Sequence, residues 1–150
     1  RTGKLILSGA GREENLTEEQ IQELIDQPMT RDLPVDTDGE FLKKTWSVYR
    51  RMSATKTTPE MTFQPFLTSL INRQRKFDLH YAIYRYQPNL DDLNKETLLL
   101  EAEEDEYAGD VAGLQRRIKG STIKKVPNSG SWQFYEEPEL NAKIITEFLN

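Results

Sequence analysis

The sequence predicts an α+β domain: several helices packed on a small, mainly antiparallel sheet. Three observations lead there. Apolar residues recur at helical spacing in most of the chain. Around Phe77 to Ile83 the rhythm switches to strict alternation. A turn-rich Pro127-Asn128-Ser129-Gly130 separates two short runs, Ser121 to Val126 and Ser131 to Glu136, as a hairpin would. At 150 residues, with 30% charged and 36% hydrophobic residues, one domain able to bury a core is expected, as part of a longer polypeptide or a processed product.

Lys4 to Leu7 reads as a short strand closed by Ser8-Gly9-Ala10-Gly11. Thr17 and Gln20 form a capping box, each side chain satisfying a backbone N–H of the other's turn. The helix they open carries Ile21, Leu24 and Ile25 and stops at Pro28. A loop rich in Pro, Asp and Thr follows from Met29 to Gly39. The next helix begins near Glu40, and Phe41, Leu42, Thr45, Trp46, Tyr49 and Met52 mark its inner face. Thr58-Pro59 reads as a cap and first turn, leading into a stripe of Phe63, Phe66, Leu67, Leu70 and Ile71 that Pro65 should distort.

Phe77, Leu79, Tyr81 and Ile83 alternate with Asp78, His80 and Ala82, the pattern of a half-buried strand. From Leu90 through Leu93, Thr97, Leu100, Glu104, Tyr107, Val111 and Leu114 to Ile118 the spacing is three and four, so helix is predicted, with a break between Glu104 and Gly113. A terminal helix starts at Pro138 and buries Leu140, Ile144, Ile145 and Phe148. The expected core gathers Trp46, Tyr49, Phe66, Leu70, Leu79, Ile83 and Ile144.

The composition removes much catalytic vocabulary. There is no cysteine and one histidine, His80, so thiolate chemistry, disulfides and Cys-based zinc sites are excluded. A net charge of -5 argues against indiscriminate attachment to nucleic acid or anionic membrane. No apolar run reaches the roughly 20 residues of a membrane helix, so no membrane partner is expected and an intracellular setting is favoured.

Each local motif has a plain structural alternative. Ser8-Gly9-Ala10-Gly11 after a strand has the look of a phosphate cradle and is the basis of one alternative, a small enzyme or nucleotide binder. Glu14 stands where a third glycine belongs, and Glu13 and Glu14 would repel phosphate. Leu16 to Ile21 followed by Asp36-Thr37-Asp38-Gly39-Glu40 resembles the opening of a calmodulin-type EF-hand. With Gly39 as the turn glycine, Pro34 and Thr45 occupy the first and twelfth ligand positions, so no calcium is expected. Asp36 and Asp38 suit a helix start instead. Trp132 to Ala142 resembles one βγ-crystallin Greek-key signature, in a single copy where that fold needs repeats.

Asp78 and His80 share a strand face, half of a base apparatus with no local nucleophile. Glu136, Glu137 and Glu139 suit a helix N-terminus, and the run Glu103-Glu104-Asp105-Glu106 reads as a solvated helix face. No catalytic residue, metal ligand or cofactor is therefore assigned. The expectation is a non-catalytic interaction or assembly domain, a structural component that binds another protein or another part of the same polypeptide through Trp132, Phe134 and Tyr135. The alternative is a nucleic-acid-binding module using Arg116, Arg117, Lys119, Lys124 and Lys125 around Gly120.

Overall fold

The computed structural model describes residues 3–9, 16–26, 35–72, 82–86, 89–90 and 92–150. The chain falls into two compact units. One comprises Arg1–Glu13, Met52–Thr57 and Asn89–Asn150; the other comprises Glu14–Arg51 and Thr58–Pro88.

The first unit is built on three strands: β1 (Lys4–Ser8), β2 (Glu96–Ala102) and β3 (Ser121–Val126). Their order in the sheet is β1-β2-β3 and both pairings are parallel, with Ile6 opposite Leu98 and Leu99 opposite Ile123. This corrects the expected fold class. The architecture is α/β with an all-parallel sheet rather than α+β with an antiparallel one. A parallel neighbour needs a crossover connection, and helix α4 (Val111–Arg117) lies between β2 and β3 in the chain.

Strand β2 explains the error. Thr97, Leu98, Leu99 and Leu100 are all buried, because a central parallel strand is covered on both faces and reads as a continuous apolar run. Alternation sorts them. Leu98 and Leu100 join Val126 and meet Ile6, Leu140, Ile144, Ile145 and Phe148 on one face. Leu99 meets Val111, Ile118, Leu7, Leu90, Leu93, Leu114 and Ile123 on the other. The three-four rhythm from Leu90 to Ile118 thus came from a strand and a separate helix, with the helix starting at Val111, inside the expected break.

Ser131 to Glu136 is also corrected, since no second hairpin strand exists there. Residues 131–132 form a turn, and α5 (Gln133–Glu136) and α6 (Pro138–Leu149) follow. The turn sequence 127–130 ends a parallel strand; Asn128 there has a φ of 53°.

The second unit follows its local signals closely. Helix α1 (Glu18–Asp26) opens with the Thr17–Gln20 capping box: the Thr17 N–H donates to Gln20 Oε1 at 2.9 Å and the Gln20 N–H to Thr17 Oγ1 at 3.2 Å. The Asp36 carboxylate caps α2 (Glu40–Arg51), accepting from the Glu40 and Phe41 N–H groups at 2.8 and 3.0 Å. Thr58 caps α3 (Pro59–Ile71), and the helix continues through Pro65. Phe66 sits edge-on to Trp46 and Tyr49, with centroids 5.2 and 6.0 Å apart. Arg50 donates to the Thr62 hydroxyl at 2.6 Å.

The predicted single core is likewise corrected. Tyr49 and Phe66 are buried and Trp46 and Leu70 half-buried, while Ile83 is 46% exposed. Ile144 packs on the sheet. Residues 82–85 form a helical turn, although strand was expected as far as Ile83. Leu79, the Asp78–His80 pair, Ala10, Gly11 and Pro34 lie outside the described residues.

Candidate functional site

In a parallel sheet the carboxyl ends of all strands share one edge, where the loops of α/β proteins bind ligands. Here Ser8 closes β1, loop 103–110 follows β2 and loop 127–132 follows β3. The last two loops are laced together. The Glu103 N–H donates to the Val126 carbonyl at 3.1 Å and the Glu104 N–H to the Ser129 carbonyl at 2.8 Å. The Asn128 N–H reaches the Glu103 carboxylate at 3.3 Å.

Asp105 stands at the centre of this lacing. Its Oδ1 accepts from the Ser131 hydroxyl at 2.6 Å and from the Tyr107 N–H at 3.0 Å. Ser131 is held in turn, its N–H donating to the Met52 carbonyl at 2.8 Å. Gly130 beside it admits no side chain, since a Cβ there would lie 2.3 Å from the Met52 carbonyl oxygen. The buried Gln133 donates from Nε2 to the Ser8 hydroxyl, bringing a third strand end into the cluster, and its Oε1 has no hydrogen-bond partner among the described residues.

Two further carboxylates fix segment 52–57 beside these loops. Buried Glu136 accepts from the Ala54 N–H at 2.8 Å, the Thr57 hydroxyl at 2.6 Å and the Gly130 N–H at 2.6 Å. Glu104 Oε2 accepts from the N–H and the hydroxyl of Thr55, both at 2.7 Å. Those two bonds, the backbone one first, hold its carboxyl below the ordinary glutamate value, and the Lys56 charge adds to them. Lys56 itself pairs with Glu137.

Three of these residues were passed over in the sequence as ordinary acids. Glu104 and Asp105 belong to a loop, not to a helix face, and each has its own partners. Glu136 is a buried anchor and not a dipole partner. The available signal was an acidic loop directly after a buried apolar strand, a strand the sequence disguised as helix. Among the described residues no cluster of three or more His, Asp or Glu side chains is placed to hold a metal ion.

The residues singled out in the sequence lie elsewhere. Arg116 and Arg117 end α4, where Arg116 pairs with Asp110 at 3.2 Å. Lys119 is in the turn before Gly120, and Lys124 and Lys125 are on β3, with Lys125 facing Glu101 at 3.7 Å. Trp132 is half-buried, while Phe134 and Tyr135 are 47% and 60% exposed on the short α5. The aromatic hairpin they were to decorate is absent.

No protein-family model matches the sequence, and no curated protein does. Solved structures do. An esterase from Exiguobacterium antarcticum superposes with a TM-score of 0.69 at 16% identity, covering 99% of this chain and 57% of that one. The chain has the α/β-hydrolase fold. MenH from S. aureus gives 0.68 at 20% identity over 98% of this chain and 58% of its own. The 2-hydroxy-6-oxo-6-phenylhexa-2,4-dienoate hydrolase of Rhodococcus sp. strain RHA1 gives 0.64 at 13%, over 98% and 55%. The chain therefore spans about half the length of the hydrolase-fold structures it matches. These neighbours are enzymes, and they overturn the expectation of a non-catalytic interaction domain or structural component, with its nucleic-acid alternative. In this fold the triad residues follow in the order nucleophile, Asp or Glu, then His. Asp105 lies in the loop after the central strand. The sequence contains no Gly-x-Ser-x-Gly nucleophile motif.

Proposed function

We propose that this chain is the acid-bearing part of a hydrolase acting on a small ester or a related carbonyl-activated bond, with Asp105 as the acid of the site. The observation that carries the reading is the position of Asp105. It lies just beyond the carboxyl end of the central parallel strand and is hydrogen-bonded to the loop after the next strand. Neighbours named as an esterase and as a dienoate hydrolase support the substrate class. In such a site a hydroxyl nucleophile attacks the carbonyl carbon, the alcohol or carbon leaving group departs with a proton, and water releases the acyl group. The nucleophile precedes the acid in the chain order of this fold. Loops 103–110 and 127–132 then form the acid side of the site, with segment 52–57 pinned against it by Glu104 and Glu136.

Steady-state assays of the full-length polypeptide that carries this chain, with p-nitrophenyl acetate, butyrate and octanoate, test this reading. It expects saturable hydrolysis, faster with a short acyl chain. Rates that stay at the uncatalysed level on every ester, at every concentration, would overturn it.

A further inference from the structure

Asp105 has a partner, and the partner is a hydroxyl. Catalysis by an acid–base–nucleophile relay needs at this point a group that accepts a proton near neutral pH and returns it, which is the work of imidazole. The acid contributes by gripping the far side of that ring. In this chain the side chain that Asp105 grips is Ser131, at 2.6 Å, in the loop that follows the next strand. No histidine follows Asp105 in the sequence; His80 is the only one and precedes it. Position 131 is also not free to yield, being tied by its own N–H to the Met52 carbonyl and flanked by the side-chain-excluding Gly130.

We infer that Ser131 occupies the place where the Asp105 carboxylate would otherwise hold an imidazole, so that this site carries its acid without a titrating base. The inference rests on the hydrolase reading for its kinetic consequence and on geometry alone for the placement. A serine hydroxyl donates to the carboxylate and steadies the two loops. It cannot take up a proton at neutral pH. Turnover then depends on binding and on polarisation of the carbonyl, and is slow. It shows no inflection from an imidazole.

The test substitutes S131H in the protein and reads two quantities. The first is kcat/KM for p-nitrophenyl butyrate against pH. Wild type should show no inflection between about pH 5 and 8, and H80Q should match it. S131H should raise kcat/KM by about 10²-fold and introduce an inflection in that range. The second is the NMR titration of the introduced imidazole. Asp105 faces it directly, Glu104 stands on the same loop as Asp105, and Glu136 at the end of α5 accepts from the neighbouring Gly130 N–H, with Lys56 paired to Glu137. The carboxylates raise its pKa above the ordinary value of about 6.5; adding D105N should lower it again.

A wild-type inflection that disappears in H80Q would overturn the inference. So would an introduced imidazole whose titration ignores D105N. Should S131H not fold, the wild-type and H80Q profiles decide by themselves. An imidazole that senses Asp105 in a protein without any esterase turnover would uphold the placement and reject the hydrolase reading, so the two failures are separable.

Discussion

In the helical unit, every helix described above begins at a cap within five residues of its own backbone partner: Thr17 with Gln20, Asp36 with Glu40 and Phe41, Thr58 with Met61. Its interior is aromatic, with Phe66 between Trp46 and Tyr49. In the sheet unit the decisive polar contacts are distant in sequence. Glu104 reaches Thr55 across 49 residues, and Glu136 reaches Ala54 across 82. The helical unit is specified by neighbours in the chain and the sheet unit by meetings that only the fold arranges. That difference also sorts structure from chemistry, because the polar groups gathered at the sheet edge come from segments that share no local motif.

The contrast predicts what each unit loses when its own kind of contact is removed. Phe66→Ala should have the largest effect, about 3–5 kcal/mol by urea unfolding, since it removes a buried ring and two edge-to-face contacts. A loss under about 1 kcal/mol would mean the helical unit is not organised around that ring.

Glu136→Ala comes next. It strips the acceptor from two backbone N–H groups and a hydroxyl, at a cost of roughly 3 kcal/mol, although it removes little apolar surface. Unchanged stability would show that water replaces the carboxylate at no cost and that the distant contacts are incidental.

The smallest effect belongs to acid. The Glu104 carboxyl titrates below the ordinary glutamate value because Thr55 donates to it twice. A group whose folded pKa is depressed contributes stability above its unfolded pKa and loses it as pH falls through the folded one. Melting temperature should therefore fall as pH drops below about 4, and Glu104→Gln should flatten part of that decline. Glu60, at the start of α3, is lowered by its own backbone N–H, then by the Thr58 hydroxyl and Arg50. Its share is unaffected by the Glu104 substitution, so an identical profile in Glu104→Gln would assign the acid sensitivity to the local cap.

The same contrast governs how much could be read in advance. The helices starting at Glu18, Glu40, Pro59 and Pro138 and the strand from Lys4 were legible, because caps, prolines and amphipathic spacing act within a few residues. Strand β2 was not. Burial on both faces removed the alternation that marks a strand, and Leu90, Leu93, Val111, Leu114 and Ile118 supplied a helical rhythm from residues that meet only across the sheet face. Once β2 was taken for helix, Glu104 and Asp105 became a solvated face, and loop 127–132 became a hairpin turn. The site was illegible for the same reason: Asp105 and Ser131 are separated by 26 residues, and neither belongs to a motif by itself.

The account stands on the meeting of those two side chains, and a double-mutant cycle measures it. Urea unfolding of the wild type, Asp105→Ala, Ser131→Ala and the double variant cancels what each residue does alone, including the Tyr107 N–H bond to Asp105. A hydroxyl donating to a carboxylate at the loop ends of two parallel strands predicts a coupling of about 1–2 kcal/mol. Effects that add to within about 0.5 kcal/mol would contradict it, because the two side chains would then not be in contact.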